Sequence, residues 1–152
     1  MTGPTRWRRG VIWTAIAGLL CAGVVGGRSP GPAPVDGVLA ACPSSPNCVS
    51  SDADPADATH AIAPLAPHGD AADRCARLFR VVSGVPGAGD GWIVGDTLRF
   101  EFHTRLFTDD VDLVCRPHEV DVRSASRIGY GDAGVNRARV EAIRAAWDAT
   151  AR

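Results

Sequence analysis

Alternation of apolar and polar residues dominates the second half of the chain. Leu98, Phe100 and Phe102 alternate with charged residues, and a period of two returns twice further along. This period is typical of β-strands with one buried face. Short turns join the successive strands, which favours an antiparallel meander. The predicted strands cover 92–94, 98–106, 111–115 and 120–123.

Two other segments have the spacing of amphipathic helices. The first runs from the capping residue Asp70 to about Ser83, and the second from the capping residue Asp132 to about Ala149. The element order therefore predicts an α+β fold, a four-stranded antiparallel meander with one helix before and one after it, both packed on its apolar face. The buried helical stripes hold Ala71, Cys75, Leu78 and Val82 in the first helix and Val140, Ile143 and Trp147 in the second.

The start of the chain has the pattern of a targeting segment. Three arginines precede the uncharged, mostly apolar run 11–27. At about 1.5 Å per residue, a helix of this length reaches about 25 Å, close to the thickness of a bilayer core. The pattern predicts a signal anchor or signal peptide over 1–27, with the rest of the chain outside the cytoplasm. A proline- and glycine-rich linker, 28–37, comes next, and then a single domain, 38–152.

Composition narrows the function classes. The chain of 152 residues has a formal net charge of −1 and contains no lysine. The lack of lysine excludes enzymes with a Schiff-base lysine and P-loop nucleotide-binding proteins. The charge argues against binding to nucleic acid. Residues 29–152 hold 12 of the arginines and all 17 acidic residues, as expected of a solvated domain outside the cytoplasm.

Cysteines can oxidise in such a location. Cys42 and Cys48 lie six residues apart in a proline-containing loop, and we expect them to form a disulfide. A redox-active pair is the alternative, although the spacing is not Cys-x-x-Cys. The sequence leaves open whether Cys75 pairs with Cys115. Residues 39–42 look like a lipoprotein cleavage site, but they lie too far from the apolar run for that interpretation to be favoured.

Three motifs succeed one another along the domain and cover most of residues 39–149. They are Cys42–Ser51, then Glu101 with Thr104–Phe107 and Asp109–Asp112, and finally Arg123–Tyr130 with Asp132, Gly134–Arg137 and Arg139. Together they resemble the bacterial and plastid family called domain of unknown function 1499. The resemblance implies an exported or membrane-attached domain, and it implies no activity.

The third motif carries the first candidate site. It leads from the last strand into the N-terminus of the last helix, where backbone N–H groups and guanidinium groups suit a phosphate or carboxylate. The alternative is that its arginines pair with the neighbouring aspartates and lock the turn. The candidate ligand-binding residues are Arg123, Ser124, Ser126, Arg127, Asn136 and Arg137, with Arg139 nearby; the aspartates are Asp109, Asp110, Asp112 and Asp132.

Carboxylates suggest a second, different site. Asp109, Asp110 and Asp112, with Glu101 and His103, form a set that suits a hard cation or acid–base chemistry. The segment lacks the glycine and distal glutamate of an EF-hand, and nearby arginines compete for its oxygens. The four histidines, His60, His68, His103 and His118, are expected at the surface, and Trp92 and Trp147 in the core.

The sequence thus favours a non-catalytic, membrane-tethered domain on the extracytoplasmic (periplasmic) side of the bacterial cytoplasmic membrane, secreted if the signal is cleaved. It would bind a small anionic ligand or an envelope protein partner. The alternative function is a small envelope hydrolase or metal-dependent enzyme that uses the aspartates of the second motif. No cofactor and no catalytic residue are assigned.

Overall fold

The computed structural model describes residues 30–151, which form two α-helices and a five-stranded antiparallel sheet. The helices are α1, Ala71–Ser83, and α2, Val135–Asp148, and a short 3-10 helix, Ala149–Ala151, continues α2. The strands are β1, Cys48–Ser50; β2, Ala88–Val94; β3, Thr97–His103; β4, Thr108–Cys115; and β5, Val120–Ser126. Their order across the sheet is β1-β5-β4-β3-β2. The predicted α+β class is confirmed.

One face of the sheet forms the hydrophobic core. Leu98, Phe100 and Phe102 of β3 are at most 1% exposed, as their alternation predicts. Both helices contribute to the same core, because Leu78 of α1 and Trp147 of α2 belong to one cluster with these strand residues. Each buried aromatic side chain removes a large apolar area from water, which makes this core the main source of stability.

The sheet has one strand more than the sequence predicts. β1 is only three residues long and pairs antiparallel with β5, with Ser50 facing Arg123. A strand this short, and this distant in sequence from its partner, leaves no local period to detect. β2 also begins earlier than the predicted start at residue 92, because Ala88–Gly91 of a glycine-rich segment pairs with β3.

Two disulfides cross-link the domain. The predicted bond between Cys42 and Cys48 is present, with Cα atoms 5.6 Å apart. Cys75 and Cys115 form a second bond, with Cα atoms 6.0 Å apart, and it joins α1 to the end of β4. The fold brings this second pair together although its members are distant in the sequence.

The predicted signal or anchor segment, 1–27, lies outside the described residues. Among residues 30–151, neither helix has the length and apolar character to cross a membrane. The described part of the predicted linker lies on the domain: Gly31, Pro32 and Gly37 accept hydrogen bonds from arginines of the sheet and its adjoining turn.

Candidate functional site

Strand geometry separates the charged residues into two sets. Because neighbouring residues of a strand point to opposite faces, Asp109 of β4 lies on the helix side, while Asp110 and Asp112 lie on the other side. The second face is not solvated, contrary to what an alternating pattern suggests. Its charged residues Arg99, Asp112 and Arg123 are at most 6% exposed.

An ion cluster occupies the middle of this polar face. Asp112 lies between Arg99 of β3 and Arg123 of β5, which are its partners in the sheet register. Arg99 Nε and Nη2 donate to Asp112 Oδ1 and Oδ2 at 2.7 and 3.2 Å, a two-pronged arrangement that fixes the geometry. Arg123 Nη1 is 3.5 Å from Asp112 Oδ2, too far for a strong hydrogen bond.

A second ion cluster adjoins the first. Arg127, just past the end of β5, donates to Asp110 Oδ1 from Nε and Nη2 at 3.1 and 2.7 Å and also donates to Glu101. These hydrogen bonds, above all those to Asp110, raise the pKa of the Arg127 guanidinium above its usual range. Arg127 is therefore engaged by two carboxylates.

The segment that enters the domain covers this face. The backbone N–H of Gly31 donates to Asp110 Oδ2 at 2.7 Å, and the carbonyl oxygens of Gly31 and Pro32 accept from Arg99 at 2.9 and 3.0 Å. Further along, Gly37 O accepts from Arg116 at 2.7 Å. The ion clusters are buried because residues 31–37 lie across them.

The short disulfide loop is joined to the end of β5. Asn47 Nδ2 donates to Gly129 O at 2.7 Å, and the N–H of Ser126 donates to Asn47 O at 3.0 Å. The disulfide between Cys42 and Cys48 closes this loop, so the asparagine amide is held at a fixed position.

A cleft of about 490 Å³ opens where these parts meet. Residues of three segments, 31–32, 41–47 and 123–129, line it together with Asp110, and we call it the Arg123 cleft. Arg123 is 4% exposed, and within residues 30–151 its Nε and Nη1 atoms have no hydrogen-bond partner. Burial lowers the pKa of its guanidinium, and burial raises the pKa of Asp112 against the opposing effect of Arg99. Of the two arginines beside Asp112, Arg123 is the one left unsatisfied.

A third polar cluster lies on the opposite, helix-facing side of the sheet. Arg139 of α2 pairs with Asp109 and donates from Nη1 to Ser124 Oγ at 3.0 Å. Ser124 in turn donates to Asn136 Oδ1 at 2.6 Å. Each of these side chains is buried and hydrogen-bonded to a neighbour, which is typical of a structural network, although Asp109 Oδ1 has no partner among residues 30–151.

The amino-acid sequence matches one known protein family. The family model described as "Protein of unknown function (DUF1499)" matches residues 38–147, most of the chain. The chain belongs to the DUF1499 family. No curated protein and no solved structure matched it.

The three DUF1499 motifs meet in the described structure. The first supplies Cys42 and Asn47, the second supplies Asp110, and the third supplies Arg123 and Arg127, and all five residues line the Arg123 cleft. Segments that are far apart in the sequence thus contribute side chains to one cavity. The cleft is where the three motifs of the sequence analysis converge.

The candidate anion site of the sequence is divided by the fold. Arg123, Ser126 and Arg127 line the cleft. Ser124 and Asn136 instead belong to the helix-side network, and Arg137 reaches the carbonyl oxygens of Ala58 and Thr59 on the exterior. Ser124 lies outside the cleft because successive residues of a strand point to opposite faces of the sheet, so its side chain points away from that of Arg123. The alternative interpretation, internal pairing with aspartates, applies to Arg127 and Arg139. It also applies to Arg123, whose Nη1 lies 3.5 Å from Asp112 Oδ2.

The N-terminus of α2 is also not free for a ligand. Asp132 Oδ1 and Oδ2 accept from the N–H groups of Gly134 and Asn136 at 2.9 and 2.7 Å. The backbone hydrogen bonds lower the pKa of Asp132 against the raising effect of burial. Asp132 is the predicted cap, although the helix itself begins at Val135 after Gly134, whose φ of 81° is left-handed.

The aspartates of the alternative metal or hydrolase site are not brought together. Asp109, Asp110 and Asp112 pair with three different arginines on two faces of the sheet. Among residues 30–151, no group of three or more histidine, cysteine, aspartate or glutamate side chains is placed to hold a metal ion. The second motif therefore supplies ion-pair partners.

Aromatic residues gave one correct and one wrong prediction. Trp147 is fully buried, and its Nε1 donates to Ala66 O at 2.8 Å. Trp92 is 42% exposed and lies on the edge strand β2, so its assignment to the core is wrong. Residues 92–94 are all apolar, and without alternation the sequence does not indicate which of their side chains face the core.

Sequence reasoning missed Arg99 and the covering segment at Gly31. Arg99 was visible only as a polar position between Leu98 and Phe100. The short loop between β3 and β4 pairs the two strands and places Arg99 opposite Asp112. The register of this hairpin therefore could have predicted the ion pair. Nothing in the composition of residues 30–37 indicates that they lie on the sheet.

Proposed function

We propose that this DUF1499 chain is a membrane-tethered domain outside the cytoplasm that binds the carboxylate or phosphate group of a small anionic ligand in the Arg123 cleft. The observation that carries the proposal is the buried Arg123 guanidinium, whose Nε and Nη1 have no hydrogen-bond partner among the described residues at the border of this cavity. A guanidinium fork matches the oxygens of both groups.

The energetics favour an acceptor at Arg123. Burying a charged donor without a hydrogen bond is costly, because the group loses its water and gains nothing in return. Asp112 compensates Arg99 with two short hydrogen bonds, but it is 3.5 Å from Arg123. An anion that supplies oxygen acceptors to Arg123 would offset this cost.

The location rests on sequence and on oxidation chemistry. Arginines before the apolar run 11–27 are typical of a segment that starts in the cytoplasm and carries the rest of the polypeptide across the membrane. Both disulfides are consistent with an oxidising compartment, since the cytoplasm of most bacteria keeps such thiols reduced.

The ligand proposal is tested by thermal unfolding of the full chain in detergent with inorganic phosphate and with acetate. We expect at least one anion to raise the Tm of the wild type and of Arg137→Met. In Arg123→Met we expect the Kd to rise about tenfold or more, equivalent to about 1.4 kcal/mol, since a charge-assisted contact is lost.

Arg137 is the matched control because it is an arginine of the same motif outside the cleft. Arg123→Met roughly preserves the side-chain volume and leaves Asp112 paired with Arg99, so this variant is expected to fold. Equal anion shifts in Arg123→Met and the wild type would contradict the proposal, as would a wild type that responds to neither anion.

The location is tested separately with a reporter enzyme on the carboxyl end. Alkaline phosphatase, which needs oxidation of its own cysteines, is expected to be active in such a fusion. Activity only of a reporter that works in the cytosol, together with free thiols at the four described cysteines, would refute the extracytoplasmic location.

A further inference from the structure

Four of the nine exposed large apolar side chains among residues 30–151 lie in two loops at one end of the domain. The other five are Val35 and Val38 of the entering segment and Trp92, Ile93 and Val94 of β2. Leu106 and Phe107 lie in the loop between β3 and β4, and they are 77% and 47% exposed. Tyr130 and Val135, between β5 and the first turn of α2, are 79% and 41% exposed. We call these four residues the apolar rim. Large apolar side chains that are grouped and solvated indicate a surface that is covered in the functional state.

The two loops of the rim surround a common depression. A cleft of about 440 Å³ lies between them, and three of the rim residues, Leu106, Phe107 and Val135, line it. The charged residues of its lining are Arg105, Asp109 and Asp132. Arg105, which is exposed, is the basic residue of the β3–β4 loop. An arginine beside aromatic and aliphatic side chains is the composition found where proteins meet lipid headgroups.

The path of residues 31–37 shows which end of the domain the preceding chain approaches. Gly37 O accepts a hydrogen bond from Arg116, just after the C-terminal end of β4. Gly31 N–H donates a hydrogen bond to Asp110, near the N-terminal end of β4. Followed backwards, the segment therefore runs towards the β3–β4 loop. Gly31 also lines the same cavity as Gly129, the neighbour of Tyr130.

The tether between this point and the apolar run is short. Only residues 28–30 separate Gly27 from Gly31 in the sequence. Four Cα–Cα steps span at most about 15 Å, so Gly31 is within that distance of the last residue of the run. If residues 11–27 cross the bilayer, the end of the domain that carries Gly31 faces it.

We propose that the apolar rim inserts into the headgroup region of the bilayer that holds residues 11–27, with Arg105 at the lipid phosphates. The inference rests on the proposed function only for its membrane tether, and it is independent of the Arg123 cleft's ligand. The occupant is lipid, because the short tether places the rim at a membrane surface. Burial of these side chains in the interface fixes the orientation of the domain on the membrane.

The test is photocrosslinking of the full chain in vesicles of phosphatidylethanolamine and phosphatidylglycerol in equal parts. One variant carries Leu106→p-benzoyl-phenylalanine, and the matched control carries Val94→p-benzoyl-phenylalanine. Val94 is also exposed and aliphatic, at 70%, and it precedes the β2–β3 turn at the opposite end of the sheet. Neither site is packed, so both variants are expected to fold.

We expect about tenfold more lipid adduct from position 106 than from position 94, because position 106 would lie among the lipid headgroups and position 94 in water. Equal adducts, more adduct from position 94, or adducts of position 106 with protein instead of lipid would each overturn the inference. Release of the chain from the vesicles by alkaline carbonate would instead show that the tether is wrong. That result refutes the proposed location and the rim together, whereas a retained chain with equal adducts refutes the rim alone.

Discussion

At the scale of single residues, the polar face of the sheet depends on Asp112. This carboxylate is fully buried between two guanidinium groups and accepts two of the four hydrogen bonds that Arg99 donates. A buried ion pair adds little net stability, because desolvation offsets the attraction. Loss of one partner is different, since it leaves the other charge buried without compensation.

Asp112→Ala is therefore expected to lower the free energy of unfolding by about 3–5 kcal/mol, because Arg99 and Arg123 would then share no carboxylate. Asp90→Ala, which removes an exposed aspartate, is the control and is expected to have an effect within about 0.5 kcal/mol. Urea unfolding followed by circular dichroism measures both. Similar losses in the two variants would show that the ion cluster is not structural.

A second residue-scale prediction concerns pH. His60 Nδ1 lies 2.7 Å from Asp57 Oδ2, and this contact raises the pKa of His60 above its ordinary 6.5 and lowers the pKa of Asp57 below 3.8. A raised histidine pKa gives stability that is complete below 6.5 and is lost as pH rises through the folded-state pKa. The aspartate's share is complete above 3.8 and is lost as pH falls below it.

The contact should thus stabilise the fold most between about pH 4 and 6.5. In His60→Gln we expect a smaller fall in Tm between pH 6 and pH 8 than in the wild type. An identical pH profile in the variant and the wild type would show that this contact has no part in the pH dependence.

At the scale of elements, the start of α2 illustrates how one side chain replaces missing backbone partners. The first N–H groups of a helix have no acceptor within the helix. Asp132 provides acceptors to two N–H groups at this end and also accepts from the side chain of Asn136 at 2.7 Å. The turn holds α2 in position for Arg139 to reach Asp109.

Asp132→Ala should lower the free energy of unfolding by about 1 kcal/mol, and Asp132→Ser should restore much of it, because a serine oxygen can still cap the helix. Chemical denaturation of the three proteins gives the comparison. If serine is no better than alanine, the contribution of Asp132 comes from its charge and not from capping hydrogen bonds.

The elements also show what the sequence can predict. The periods at Leu98–Phe102 and in both helices are local, so the strands, helices and core face are set by neighbouring residues. The start of β2 was not predicted, because its glycines have no side chains and give no alternation of apolar and polar residues. Of the cleft, Arg123, Ser126 and Arg127 were found from their motif. Gly31 and Asn47 line the same cleft because segments distant in the sequence meet in the fold, and a single sequence does not reveal such contacts.

At the scale of the whole molecule, the two disulfides constrain the unfolded chain to different degrees. Cys42 and Cys48 are separated by 6 positions and Cys75 and Cys115 by 40. Chain-entropy arguments give about 2 kcal/mol for the shorter loop and about 4 kcal/mol for the longer one.

The double variant Cys75→Ser/Cys115→Ser is therefore expected to lose more stability than Cys42→Ser/Cys48→Ser. Differential scanning calorimetry under oxidising conditions ranks the two. The reverse order would mean that the short loop holds native structure that loop length alone does not describe.

The connectivity of these bonds has a consequence for biogenesis. Among the four described cysteines the first is joined to the second and the third to the fourth, so the two rings succeed one another without overlapping. If the domain is exported as proposed, it emerges amino end first, and the earlier ring can close before Cys75 has appeared. Simple oxidation in order of appearance yields the native pairing of these four, and maturation of the domain should need a thiol oxidant but no isomerase.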